Sequence, residues 1–154
     1  MISDKQQIAD VFDSLHDGEI TFQGQSDQCT TLRVEFPYVT EASEVVSDSL
    51  TLAIANFRDV EFRSWISEEE QSRFSIVGAM DVLRLGLQIL DARLVDDVTA
   101  VDCDVSGDNL PFSGGEFRFQ ADGLVIFDDA GREMSLAVLV DAANRHWDQF
   151  GNQA

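Results

Sequence analysis

Two short runs of residues and one further histidine in this chain carry groups able to do chemistry. His16-Asp17-Gly18-Glu19 sets an imidazole among carboxylates, the kit for a metal ligand set or a general base. The other histidine, His146, falls on the C-terminal segment beside Trp147, and it meets His16 only if the two ends of the chain pack together. Asp102-Cys103-Asp104-Val105-Ser106-Gly107-Asp108 matches the opening of a calcium loop, with oxygens at its first, third and fifth positions and glycine at its sixth. The bidentate acid such a loop ends on is replaced by Ser113, with Glu116 a little beyond. Asp102, Asp104 and Asp108 are therefore candidate metal ligands on a partial match.

Each run also has a structural reading. His16 suits the negative end of a helix, Asp17-Gly18 a turn and Glu19 the start of a strand. Alternation of Val101, Cys103 and Val105 makes Asp102 and Asp104 an outward pair on a strand. Gly114-Gly115-Glu116-Phe117 lacks one residue of the diguanylate cyclase hairpin motif and the segments that accompany it, and reads as strand. Gly24 to Gln28 is one glycine short of a nucleophile elbow and lies in a turn. Cys29 and Cys103 stand far apart in apolar alternation, which reads as reduced core thiols and fits a cytoplasmic protein. No phosphate loop or zinc-type spacing is present, no cofactor is called for, and no catalytic residue is assigned.

The elements that position these groups follow from periodicity. Ser3, with Gln6 as a capping box, opens a helix over 4–16 whose apolar face is Ile8, Val11, Phe12 and Leu15, with Gly18 as its left-handed cap. The period then falls to two. Segments 19–24 and 30–37 read as a hairpin, and Leu50 to Phe62 as one bent strand or two with a break near Asn56. Residues 38–48 read as a polar connection and Glu68-Glu69-Glu70 as an acidic turn. Residues 79–95 fit either a helix or a strand, and Gly86 with the alternation of Leu83, Leu85, Leu87 and Ile89 favours strand. Strands follow at Val101 and Phe117, with Asp122-Gly123 as a hairpin turn. Ser135 caps a final helix whose face is Leu136, Leu139, Val140, Ala143, Trp147 and Phe150. The expectation is one α+β domain over 1–154: a mostly antiparallel, twisted sheet of six to nine strands with an amphipathic helix at each end.

Charge bounds the partners. The 154 residues hold 29 Asp+Glu against 10 Lys+Arg, a net charge of −19, with Lys5 the only lysine. A hydrophobic content of 44% with eleven Phe excludes a disordered chain. Nucleic acid and anionic lipid need a basic footprint that is missing, and no apolar run is long enough to span a bilayer. What remains is a solubilising surface or a face for a basic protein, and a dimer through Trp65 or Trp147 stays open.

The layout resembles that of small uncharacterised bacterial proteins that open on a short helix ending in a His-Asp-x-Glu turn, continue as antiparallel strands and close with an amphipathic helix. The matching pieces are His16-Asp17-Gly18-Glu19, Ser49-Leu50-Thr51-Leu52 and Ser135 through Phe150. Several such proteins are immunity or accessory proteins. The resemblance implies binding of a protein partner without chemistry; the alternative is a metal-binding module or metal-dependent enzyme using His16, Asp17 and Glu19 or Asp102, Asp104 and Asp108.

Overall fold

The computed structural model describes residues 1–35, 49–65, 73–106 and 110–151, side chains of 146–151 excepted. Helix α1 (Lys5–Asp13) leads into β1 (Glu19–Ser26), β2 (Cys29–Glu35), β3 (Ser49–Ala55), β4 (Arg58–Ser64) and β5 (Ser75–Val77). A one-turn helix α2 (Ala79–Leu83) precedes β6 (Leu87–Val95), β7 (Val98–Val105), β8 (Gly114–Gln120), β9 (Gly123–Phe127), β10 (Glu133–Met134) and helix α3 (Leu136–Gly151). The strands form a single antiparallel sheet in the order β10-β9-β3-β2-β1-β6-β7-β8-β4-β5. Ten strands exceed the expected six to nine, because β5 and β10 are stubs of three and two residues. No described helix is long and apolar enough to cross a membrane.

Two connections dictate the shape. β3 reaches β4 through Asn56-Phe57, and β8 reaches β9 through Ala121-Asp122, although five strands separate each pair in the sheet. Two residues span at most about 7 Å, so the sheet must roll until these ends meet. Asp122 fastens the junction: its carboxylate accepts from Asn56 Nδ2 at 2.8 Å and from Arg58 Nη1 at 3.0 Å, and its N–H donates to Ala55 O at 2.9 Å. Asp122-Gly123 is therefore a crossover and not the hairpin turn its sequence suggests. Asn56 marks the expected break after β3 with a left-handed φ of 52°.

The concave face of the rolled sheet holds the core. Leu32, Val34, Leu52, Ile54, Phe62, Leu87, Ile89, Val101, Phe117 and Phe119 are fully buried on it, and α1 packs against β6, β7, β9 and α3. Phe12 of α1 meets Phe119 edge-on with centroids 5.1 Å apart, and Phe57 closes on Phe119 at 5.1 Å. Such pairs contribute about 0.5–1.5 kcal/mol beyond their buried area.

Local details depart from the sequence reading at identifiable groups. Asp4 and not Ser3 caps α1, accepting from Gln7 N at 3.0 Å, while Gln6 turns to Asp10. The left-handed residue after α1 is Asp17, φ 70°, instead of Gly18, since a short carboxylate tolerates that region. Gly24 lies within β1 beside a bulge and the hairpin turns at Asp27-Gln28. Ser135 does cap α3, with Val138 N donating to its Oγ at 3.2 Å. The proposed connection 38–48, the acidic run at Glu68 and the loop holding Asp108 lie outside the described residues.

Residues 79–95 are neither all strand nor all helix: α2 ends, the chain turns at Gly86 with φ 72°, and β6 begins. Gly86 O accepts from both N and Oγ of Ser106, and a Cβ on Gly86 would sit 2.4 Å from that Oγ. Gly24, by contrast, has ordinary φ and nothing within 4 Å of a built Cβ. Gly86→Ala is expected to lower stability by about 1 kcal/mol or more, and Gly24→Ala to leave it unchanged or raise it by up to about 1 kcal/mol. Urea midpoints of the two variants decide; equal effects would remove the backbone argument.

Candidate functional site: the charged outer face of the sheet

Antiparallel register lines the convex side of β1-β6-β7-β8-β4-β5 with rows of polar side chains. Glu19, Gln88 and Asp104 are successive partners across β1, β6 and β7. The next row runs Asp91, Asp102, Glu116, Arg63 and Ser75, and the third Arg93, Ala100, Arg118, Glu61 and Val77. Neighbouring strands lie about 4.8 Å apart, so adjacent members of a row are within ion-pair reach. A bulge between Ile89 and Asp91 is what aims Asp91 and Arg93 outward.

The rows lock into a ladder. Arg93 reaches Asp102 Oδ2 at 3.0 Å and also pairs with Glu116. Arg118 meets Glu116 at 2.6 Å and Glu61 at 3.6 Å, and Arg63 meets Glu61 at 2.9 Å. Ala100, between Arg93 and Arg118 in its row, is fully buried although it sits on the outer face. Glycines make the ladder possible: a Cβ on Gly115 would come 2.3 Å from Arg63 O, and one on Gly114 would come 2.5 Å from the Trp65 ring. The cyclase-like glycine pair is thus a packing requirement of β4 against β8.

Electrostatics differ along the ladder. Burial and then the neighbouring Asp91 carboxylate, which shares a hydrogen bond with it, push Asp102 above the usual carboxylate range despite Arg93. For Glu116 burial acts upward too, but the hydrogen bond from Arg118 and the charge of Arg93 outweigh it and hold the acid low. Burial lowers Arg93, yet Asp102 and Glu116 together raise it. Cys103 behind them is buried and free, its thiol pushed up first by burial and then by Asp102 and Asp104. Cys29 is free and only half-buried.

The His16 turn borders this face. Asp13 Oδ1 accepts from Ala92 N at 3.1 Å, His16 Nδ1 bonds Leu90 O, and Asp17 and Gly18 bond the backbone of Ile89 at 2.8 Å. His16 therefore caps the β6 bulge. A carbonyl only accepts, so Nδ1 donates to Leu90 O, and Nε2 faces Asp17 Oδ1 at 3.5 Å. Asp13, Asp17, Glu19, Asp91 and Asp104 form an exposed acidic rim along β1, β6 and β7. Glu19 and Asp104 face no cation among the described residues.

Of the sequence candidates, His16 and Asp17 are brought into contact, and Glu19 and Asp104 share a row through Gln88. Asp102 is drawn into the arginine ladder, paired with Arg93. The side chain of His146 and the whole of Asp108 lie outside the description. Among the described residues no group of three or more His, Cys, Asp or Glu is disposed to hold a metal ion. The ladder itself escaped the sequence reading. Gly114 to Phe117 reads as strand, but the partners of Glu116 and Arg118 on β4 and β6 depend on register.

A folded-state pKa held below the unfolded value gives Glu116 a stabilising contribution above its unfolded value of about 4.3, lost as pH falls through the native one. Asp102 has the opposite sign, its ionisation costing stability above its raised native value. Glu116→Gln should therefore lower the urea midpoint at pH 7 by more than Asp102→Asn does, with the gap closing toward pH 3; a gap independent of pH would refute this account. No protein-family model, curated protein or solved structure matches this chain, so the functional reading rests on the chemistry of this face.

Proposed function

We propose that this chain is a non-enzymatic accessory protein of the immunity type, whose acidic rim docks a basic protein partner. The observation that carries the reading is the division of charge. All ten Lys and Arg lie within the described residues and nine are ion-paired there, while the rim carboxylates of Glu19 and Asp104 are left without cations. Arg33, diagonal to Glu19 across β1 and β2, is paired with Glu35, and Arg93 is held by Asp102 and Glu116.

Such a surface steers an oppositely charged partner over distances longer than any contact. Focused fields of this kind raise association rates by about 10–1000-fold and lose that gain as salt rises. The rim is built on hydrogen-bonded strands and a backbone-tethered turn, so its carboxylates meet a partner with little ordering cost. The resemblance in layout to immunity and accessory proteins points the same way.

The neutral triple variant Asp17→Asn/Glu19→Gln/Asp104→Asn is compared with Asp27→Asn/Asp59→Asn/Glu133→Gln, which removes the same net charge elsewhere. Binding of a lysine decapeptide, followed by fluorescence anisotropy from 20 to 200 mM salt, should weaken about tenfold or more in the rim variant and clearly less in the control. Equal losses would mean that the total charge attracts the cation and the rim has no special part. Calorimetric titration with calcium, magnesium, manganese and zinc tests the metal-binding alternative, in which heat on binding would displace the present reading.

A further inference from the structure

At the far edge of the sheet, four strands from β6, the chain presents the opposite chemistry. Among the described residues, strand β5 pairs with β4 alone. Ser64 N donates to Phe74 O at 2.9 Å and Gly78 N to Val60 O at 2.9 Å, so by antiparallel alternation Phe74, Ile76 and Gly78 direct their backbone toward β4. The N–H and C=O groups of Ser75 and Val77 then point away from the sheet. This edge carries neither proline nor lysine, the residues that blunt exposed strands. Instead it is apolar: Val77 is 72% exposed, with Met80, Trp65 and Phe74 exposed beside it.

A cationic corner closes the same edge. Arg73 has no carboxylate partner among the described residues, alone among the ten cations of a chain of net charge −19. With Arg63, Ser64, Trp65 and Glu116 it lines a recess of about 60 Å³. Ser64 Oγ is occupied by Phe74 N at 2.8 Å and Glu116 by Arg118 and Arg93, which leaves Arg73, among the described residues, as the charge without a carboxylate partner.

We propose that β5 accepts an extended peptide segment as an eleventh strand, with a carboxylate side chain of that segment seated against Arg73. Backbone bonds to Ser75 and Val77 supply sequence-independent affinity, and the arginine selects register through a charge-assisted hydrogen bond. The occupant is an alternating apolar strand with one acid on the face shared with Val77. The site is independent of the acidic rim, since it needs a negative group where the rim needs positive ones.

The probe is the soluble hexapeptide acetyl-Lys-Val-Glu-Val-Thr-Val-amide, with a Gln-for-Glu peptide as control, titrated into ¹⁵N-labelled protein. Saturable shifts are expected at the Ser75 and Val77 amides and the Trp65 indole, with the Glu peptide bound about fivefold tighter than its control. Arg73→Gln should equalise the two peptides. Val77→Pro, which removes an outward donor and leaves the bonds to β4 in place, should abolish binding. Unmoved β5 amides at millimolar peptide, or equal affinity of the two peptides for the wild-type chain, would overturn the proposal. So would shifts that follow protein concentration without peptide, which would assign the edge to a second copy of this chain.

Discussion

Everything in this molecule depends on two crossings, Asn56-Phe57 and Ala121-Asp122, being held against each other. Each is too short to let its strands stay apart, and together they turn a ten-stranded ribbon into a rolled sheet with an inside and an outside. Asp122 sits where they meet and takes Asn56 and Arg58 at once; the hydrogen bond from Asn56, then that from Arg58, hold its carboxyl below the usual range. The inside is then small enough for α1 to fill. Phe12, Phe57, Phe117 and Phe119 meet there because the roll brings β8 and the β3-β4 crossing to the same helix.

Rolling also fixes what the outside can do. With the apolar face sealed, the convex face collects the charged residues of four long strands in rows, and register decides which carboxylate meets which guanidinium. The ladder's outer pairs, at Arg63 and Arg93, are half-exposed and contribute only about 0–1 kcal/mol each, while Glu116 and Arg118 at its centre are partly buried. Its consequence is electrostatic. By consuming Arg63, Arg93 and Arg118 internally, the ladder leaves the β1-β6-β7 border acidic and hands the β5 border to Arg73.

Period-two alternation made most of the strands legible, since Leu32, Val34, Leu50, Leu52, Phe117 and Phe119 each fall on the face their spacing assigns. Both terminal helices were legible from their apolar stripes and Ser135 from its capping role. Sequence failed where a tertiary partner overrides a local preference. Asp122-Gly123 has hairpin chemistry, but Asp122 is claimed by Asn56 and Arg58. The alternation of Leu83, Leu85 and Leu87 is interrupted because Gly86 adopts a positive φ beneath Ser106. The bulge after Ile89, which reverses the facing of Asp91 and Arg93, leaves no mark in local composition and becomes visible only as the place where His16 binds. Of the site, Asp102 and Asp104 were legible as outward residues, the facing of Asp91 was not, and neither was the pairing with arginine.

The His16 turn shows how residue types that could do chemistry also take a structural part. Nδ1 bonds the Leu90 carbonyl, and Nε2 faces the Asp17 carboxylate at 3.5 Å. The imidazole thereby ties the end of α1 to the β6 bulge, the contact that brings Asp13, Asp17 and Glu19 alongside Asp91 and Asp104. What this contact places on a rigid border is a row of negative charge, because the bulge turns Asp91 to the side on which register sets Glu19 and Asp104.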